Sequence, residues 1–277
     1  HITEKCLKMN KIPTFLKWVG GKRRIIPNLE LLFPKIINRY FEPFLGGGSM
    51  FFYIKKKYNP RFCMISDINQ DLIDTYKAVR DDPKQLINYL RYFKKNNSIE
   101  FYYNTRKRFN NHHFEDIKRC AAFIYLNKTC FNGIYRVNSR NEFNVPYGKH
   151  KRPEIFNEST ILYASELLRD VKIVVQDYRR IKGNIRKGDF VYLDPCYDPL
   201  KKTSFANYTP KRFCEFDRIE LARFVRYLKN KEVNVLLSNN NLPEIRKLYD
   251  DFEIVEVLAP RCINSDGDGR NKIIELA

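Results

Sequence analysis

The stretch FEPFLGGGSMFF, residues 41–52, sets three consecutive glycines between a short apolar segment and a segment with a helical pattern. Glycine has no side chain, so the backbone of Gly46, Gly47 and Gly48 can approach a ligand closely, and a helix N-terminus favours an anionic group. A strand, a glycine turn and a helix in this order are typical of an α/β sheet that binds its ligand at the strand ends. We therefore predict a doubly wound, Rossmann-like α/β fold.

Two other interpretations of the glycines stay open on these residues alone. A dinucleotide site would look similar, although Phe51 takes the place of the third glycine of the GxGxxG pattern. A turn that serves packing only also fits. At KWVGGKRR, residues 17–24, a P-loop is excluded, because the first glycine of its pattern is absent and Arg23 replaces the serine or threonine.

Two further segments end in an acid where a strand is predicted to end. RFCMISD ends at Asp67, about 20 residues after the glycines, where an acid commonly holds ribose hydroxyls. DFVYLD ends at Asp194, and Pro195, Cys196 and Tyr197 follow at once. Pro195 has no N–H and stiffens the turn, so its carbonyl can lie beside the Asp194 carboxylate. Two adjacent acceptors and a stacking tyrosine predict a pocket for a planar amine such as adenine.

The rest of the chain divides into strand-like and helical parts. VKIVVQD (171–177), EVNVLLSN (232–239) and FEIVEVL (252–258) resemble strands, and a loop and NKIIELA (271–277) follow the last of them. Residues 83–168 are helical, basic and aromatic and include a polar loop. We predict a catalytic domain of residues 11–82 and 169–277 with an inserted helical recognition subdomain at 83–168. A helix capped at Thr209 is predicted, with these core residues: Phe213, Phe216, Ile219 and Leu228.

Composition narrows the class of protein. The 277 residues carry a formal charge of +19, which favours a nucleic-acid partner, although a lysine-rich solubilising surface would give the same number. The seven cysteines are scattered without a CxxC pair, so neither a disulfide framework nor a zinc site is expected. No apolar run has membrane-spanning length, and the N-terminal residues do not resemble a signal peptide. A soluble, intracellular protein is expected.

At this point the chain resembles the Dam-type adenine-N6 DNA methyltransferases of the α class, over residues 12–277. FLKWVGGK (15–22) is similar to their N-terminal cofactor motif, and EPFLGGGSMFF (42–52) to their glycine loop. ISDIN (65–69) resembles the segment with the ribose-binding acid, and YLDPCY (192–197) the D-P-P-Y catalytic motif. The stretch from YLNKTCFNGIYR to GKHKRP (125–153) resembles their target-recognition segment.

This resemblance implies S-adenosyl-L-methionine as cofactor, S-adenosyl-L-homocysteine as product, and no metal. It also implies a target adenine that is flipped out of duplex DNA and methylated directly, with Asp194, Pro195 and Tyr197 as catalytic residues. The positions that match the family's cofactor contacts are Trp18, Lys22, Phe44, Gly46, Gly48, Asp67, Asp177 and Asp194.

The same resemblance implies how DNA is recognised. The target would be GATC or a close relative, with Arg136 suited to guanine O6 and N7 and Phe131 suited to wedge into the base stack. The positions matched to DNA contacts are Lys17, Phe131, Asn132, Ile134, Arg136, Pro146 and Lys149, and the loop at 265–269 resembles a further family loop near DNA.

The chain departs from the family pattern at two positions, and two alternative functions stay open. Cys196 replaces the second proline of the catalytic motif, and Lys149 stands where arginine is common. One alternative is an RNA or protein N-methyltransferase on the same frame, and another is a DNA-binding relative impaired by Cys196. For the leading hypothesis, the expected partner is double-stranded DNA rather than a membrane. We expect a monomer located wherever the DNA is held.

Overall fold

The computed structural model describes residues 12–149, 153–195, 215–258 and 272–276, and within them seven strands form one sheet. The strands are β1 Arg39–Glu42, β2 Phe62–Asp67, β3 Val171–Val175, β4 Phe190–Leu193, β5 Asn234–Asn240, β6 Ile254–Leu258 and β7 Lys272–Leu276. Their order is β3-β2-β1-β4-β5-β7-β6. Strands β1 to β5 are parallel, and β7 is antiparallel to both of its neighbours.

The strand order reverses between β1 and β4. From β1 the chain builds outward through β2 and β3, then returns to β4 on the other side of β1 and continues to β5. In open parallel sheets, the crevice at this reversal is where ligands bind. Tyr40 of β1 pairs in register with Cys63 of β2 and with Phe190 of β4. The carboxyl ends of these three strands therefore lie at the same edge of the sheet.

Helices connect the strands. The α-helices in the described residues are α1 Ile26–Leu29, α2 Ser49–Tyr58, α3 Gln70–Asp81, α4 Pro83–Lys95, α5 Ile99–Asn110, α6 Asp116–Thr129, α7 Glu158–Leu168, α8 Glu215–Asn230 and α9 Pro243–Leu248. Asn69 caps α3 by accepting a hydrogen bond from the Leu72 N–H, and Asp82 caps α4 ahead of its first residue, Pro83. Across these described segments, no helix has the length and apolar character required to span a bilayer.

Both faces of the sheet are covered, which confirms the predicted doubly wound fold. Side chains of β1 alternate between the two cores, with Tyr40 packing on one face and Phe41 on the other. Helix α8 covers the Phe41 face through buried residues that include Phe224 and Leu228. Each buried residue of α8 has another buried residue three or four positions away, so together they form one apolar side of an amphipathic helix.

The prediction of a buried Phe216 and Ile219 was wrong, whereas Leu228 is buried as predicted. The Phe216 side chain is 63% exposed and that of Ile219 is 37% exposed. At about 100° per residue both lie roughly 150° around α8 from the centre of its buried face, which Leu221, Ala222, Phe224, Val225 and Leu228 form, so they face away from the sheet. The predicted cap Thr209 and the residue Phe213 lie outside the described residues.

Helices α4 to α7 occupy residues 83–168, between β2 and β3 in the chain. Helix α6 is buried along most of its length, and its Tyr125 belongs to the same continuous core as Tyr40 of β1. The helical region and the sheet therefore share one hydrophobic core. Their division into two domains stays a prediction.

Candidate active site

The glycine turn after β1 packs directly against two aromatic side chains. Gly46 and Gly48 have left-handed backbone angles, with φ of 47° and 66°. A Cβ atom on Gly46 would lie 2.7 Å from Cδ1 of Trp18, and one on Gly48 would lie 2.5 Å from the Tyr76 hydroxyl. The glycines thus serve close packing, and the same packing places Trp18 against the turn that follows β1.

Asp67, at the end of β2, ties this turn to the sheet. Its carboxylate accepts hydrogen bonds from the Gly46 N–H at 3.2 Å and from the Asn69 N–H at 3.0 Å. Burial raises the pKa of the Asp67 carboxyl above its ordinary value, against the opposing effect of these backbone donors. The Tyr76 hydroxyl donates to the Gly46 carbonyl at 3.2 Å and fixes the turn from the other side.

Asp194, at the end of β4, is held by Lys22. The Lys22 ammonium lies 2.7 Å from Oδ1 and 2.8 Å from Oδ2 of Asp194, and 3.0 Å from the Gly20 carbonyl. Lys22 is 4% exposed and Asp194 is 20% exposed. Two residues that are 172 positions apart in sequence are thus joined at the point where the strand order reverses.

A third acid at this edge, Glu42, was missed from the sequence. Glu42 ends β1, is buried, and accepts a 2.6 Å hydrogen bond from the Tyr40 hydroxyl. Burial raises the pKa of Glu42 well above its ordinary value, and the nearby carboxylates of Asp194 and Asp67 act in the same direction, against the Tyr40 hydrogen bond. The sequence feature that could have identified Glu42 is an acidic residue at the end of an otherwise apolar strand.

Phe44 and Asp177 lie together at the β3 side of this edge. The Phe44 ring stacks on Tyr178, with centroids 5.2 Å apart, and Tyr178 follows Asp177 directly. Partial burial tends to raise the pKa of Asp177, but hydrogen bonds from the Arg179 side chain and N–H outweigh it and hold that pKa below its ordinary value. Asp177 is three strands from Asp194, about 14 Å at normal strand spacing.

The loop after α6 presents the predicted DNA-contacting residues on one face. Its two arms pair at Cys130 with Tyr147 and at Val137 with Phe143. Burial alternates along both arms, so that residues 133, 135, 137, 143 and 145 point inward. The residues between them are half-buried or exposed on the outer face, and they include the predicted contacts Asn132, Ile134, Arg136 and Pro146.

Phe131 and Arg136 are fixed differently within this loop. Phe131 is 50% exposed, and its N–H donates to the Pro146 carbonyl at 2.9 Å. The Nε of Arg136 donates to Oδ1 of Asn144 at 2.7 Å. Lys149 is exposed and ends the described part of the loop. Phe131 therefore projects from a hydrogen-bonded turn, and Asn144 orients Arg136.

Lys17 reaches this loop from the N-terminal segment, through contacts that the sequence did not reveal. The Lys17 side chain is exposed, and its stem packs on Gly133, where an added Cβ would lie 2.6 Å from the Lys17 Cδ. The side chain of Asn127 binds the Lys17 main chain, and the Trp18 ring stacks on Tyr135. The residues matched to the family's cofactor contacts and those matched to its DNA contacts are thus adjacent.

The predicted site residues around Asp194 fall partly within the described part of the chain. Tyr197, Cys196 and the loop at 265–269 lie outside the described residues, whereas Pro195 is buried directly after Asp194. Among the residues that are described, no three His, Cys, Asp or Glu side chains form a group able to hold a metal ion.

Known proteins share this combination of motifs. Residues 18–263 match the family described as D12 class N6 adenine-specific DNA methyltransferase. The Type II methyltransferase M.MjaIII of Methanocaldococcus jannaschii is 43% identical over 276 residues, which cover 94% of this chain and 96% of that protein. A DNA adenine methylase of Vibrio cholerae is 32% identical, covering 97% of this chain and 96% of its own length. A DNA N-6-adenine-methyltransferase of Escherichia phage P1 is 33% identical over 93% of this chain, but the match covers only 34% of that protein.

Proposed function

The chain belongs to the D12 class of N6 adenine-specific DNA methyltransferases, and from that premise we propose that it uses S-adenosylmethionine to methylate the adenine of GATC in duplex DNA. The observation that carries the proposal is the Lys22–Asp194 pair beside the glycine turn, where the strand order reverses. This is the position at which a sheet of this type binds its ligands.

The residues at this edge fit such a cofactor. Backbone donors use part of the acceptor capacity of Asp67, and the remaining lone pairs suit ribose hydroxyls. Phe44 offers an apolar ring beside Asp177, and Trp18 encloses the glycine turn. When bound, S-adenosylmethionine supplies a methyl group on a positively charged sulfur, and it leaves as S-adenosylhomocysteine. The carboxylates of Asp67 and Asp194 lie at the same edge and suit a cationic group.

Asp194 and Pro195 are proposed to orient the adenine amine. The Asp194 carboxylate and the Pro195 carbonyl accept the two N6 hydrogens, which directs the nitrogen lone pair away from both oxygens. After the methyl group is transferred, the amine releases one of these hydrogens to solvent as a proton. Lys22 fixes the carboxylate and compensates its charge, so Asp194 acts by position and electrostatics. Tyr197 is assigned to stack on the flipped base.

The outer face of the loop after α6 is proposed to contact the DNA. Arg136 fits a guanine because Asn144 holds its Nε and, at 3.4 Å, its Nη2, so the remaining N–H groups of the terminal nitrogens can approach O6 and N7. Phe131 is assigned to the base stack. The remaining proposed DNA contacts are Lys17, Asn132, Ile134, Pro146 and Lys149. In this scheme residues 83–168 form the recognition subdomain, and residues 11–82 and 169–277 form the catalytic domain.

A panel of duplexes tests this target. Wild-type protein and radiolabelled S-adenosylmethionine are incubated with a GATC duplex and with duplexes that change one base pair of the site. We expect transfer to the GATC duplex and a reduction of at least about fivefold for each change, since one mismatch costs about 1–3 kcal/mol. Equal transfer to all duplexes would contradict GATC as the target, and transfer to RNA or protein instead would contradict the DNA substrate.

A further inference from the structure

Asn127 fastens the N-terminal segment to the helical region. Its Oδ1 accepts a hydrogen bond from the Lys17 N–H at 2.8 Å, and its Nδ2 donates to the Lys17 carbonyl at 2.8 Å. Nδ2 also lies 3.5 Å from the carbonyl of Gly133 in the loop after α6. This loop, residues 130–149, is called the recognition loop below. Asn127 is 1% exposed, so an apolar replacement would leave buried main-chain groups without these partners.

Trp18 packs between the glycine turn (residues 46–48) and the recognition loop. It stacks on Tyr135 with centroids 5.5 Å apart and planes 15° apart. An added Cβ on Gly47 would lie 2.9 Å from the Trp18 Cβ. A displacement of Trp18 therefore has to displace the glycine turn, the recognition loop or both, because a packed interior does not deform freely.

Tyr135 completes the connection to Asp67. The Tyr135 hydroxyl lies near the Asn69 side chain, and the Asn69 N–H donates to the Asp67 carboxylate. Tyr135 is buried, while its neighbours Ile134 and Arg136 face outward. One continuous path of contacts thus joins the acid proposed to hold the cofactor with the residue proposed to contact guanine.

We propose that Asn127 and Tyr135 are positioning residues that couple cofactor binding to DNA recognition through Lys17 and Trp18. The inference rests on the proposed cofactor and DNA substrate. Neither residue has to touch either ligand. Coupling of this kind is reciprocal, so bound DNA strengthens cofactor binding by the same factor by which bound cofactor strengthens DNA binding.

The experiment measures that factor. Trp18 is the single tryptophan of the sequence, so its fluorescence follows binding of S-adenosylhomocysteine directly. The dissociation constant is measured without and with a saturating GATC duplex, and the ratio of the two values is the coupling factor. For the wild type we expect at least about fivefold, the lower end of the usual range.

Two variants should remove the coupling and two should keep it. Asn127→Ala and Tyr135→Leu are expected to bring the factor to about one. Tyr135→Phe keeps the stacked ring and should retain most of the factor. Tyr102→Leu is the matched control, because Tyr102 is equally buried in the helical region but packs on Tyr125 and Tyr147 and donates to the Val145 carbonyl.

Each outcome decides the matter. A wild-type factor of one, an unchanged factor in both disrupting variants, or an equal loss in Tyr102→Leu would overturn the coupling role. If thermal unfolding measurements show that Asn127→Ala is not folded, the comparison of Tyr135→Leu with Tyr135→Phe carries the test. Failure of the wild type to bind S-adenosylhomocysteine or the duplex at all would contradict the proposed function itself, which separates the two failures.

Discussion

The Lys22 ammonium contacts both carboxylate oxygens of Asp194, at 2.7 and 2.8 Å, in a site where Lys22 is 4% exposed. A buried charge that loses its partner is strongly destabilising, whereas a pair replaced by neutral groups is often tolerated. This pair therefore has a structural effect and a catalytic effect that can be measured separately.

Lys22→Met should abolish methyl transfer and lower the free energy of unfolding by about 3 kcal/mol or less, because water reaches part of Asp194. The double variant Lys22→Met with Asp194→Asn should regain much of that stability, since the pair becomes neutral, yet remain inactive. Urea unfolding and transfer assays on the same samples provide the measurement. Activity in the double variant would show that the carboxylate is not required.

Arg136→Ala should lose discrimination at one guanine of the site. A bidentate contact contributes about 1–3 kcal/mol, so the ratio of kcat/KM for the correct and the substituted duplex should fall by roughly 5- to 150-fold. Arg140→Ala is the matched control, because Arg140 lies in the same loop, is 79% exposed and contacts Glu142 at 3.3 Å. An equal loss in both variants would point to a general charge effect rather than base recognition.

Glu42 should make stability fall as the pH rises. Its pKa in the folded protein lies well above the ordinary 4.5, so the folded state keeps a proton that the unfolded state releases above pH 4.5. Stability due to this group is therefore complete below that pH and is lost as the pH increases towards the raised pKa. Glu42→Gln should flatten this part of the profile in denaturant unfolding. An unchanged slope would mean that Glu42 ionises alike in both states.

Gly47→Ala should weaken cofactor binding through crowding alone. The new methyl group would lie 2.9 Å from the Trp18 Cβ, and overpacking of this kind costs about 1–3 kcal/mol. S-adenosylhomocysteine affinity should fall by roughly 5- to 150-fold in a calorimetric titration. Gly183→Ala is the control, since a Cβ there would have no heavy atom within 4 Å. Normal affinity in Gly47→Ala would show that Trp18 can move freely.

The strand ends could be predicted because their signals are local. Asp67 and Asp194 each close an apolar segment, and a short apolar run before an acid and a turn identifies both the strand and its end. The outward positions of the recognition loop followed from the family resemblance. The side of α8 that is buried could not be predicted for Phe216, because it depends on where the helix meets the sheet.

The roles of Asn127 and Tyr135, which connect the cofactor site with the recognition loop, could not be predicted from the sequence. Asn127 binds Lys17 across 110 residues, and Tyr135 reaches Trp18 only after the helical region has folded onto the sheet. The sequence around these two residues contains no motif or spacing that would indicate such contacts. Glu42 gave a partial signal, a carboxylate in a buried strand, but its partner Tyr40 is two residues away and on the same face.

The central claim is that Asp194 directs methyl transfer to N6 of adenine in duplex DNA. The most direct measurement is mass spectrometry of nucleosides from a GATC duplex after reaction with S-adenosylmethionine, for the wild type and for Asp194→Asn. The account predicts N6-methyldeoxyadenosine with the wild type and a loss of about a hundred- to a thousandfold with Asp194→Asn, which keeps the shape but not the charge. Methylation of another base, or equal product from both proteins, would contradict it.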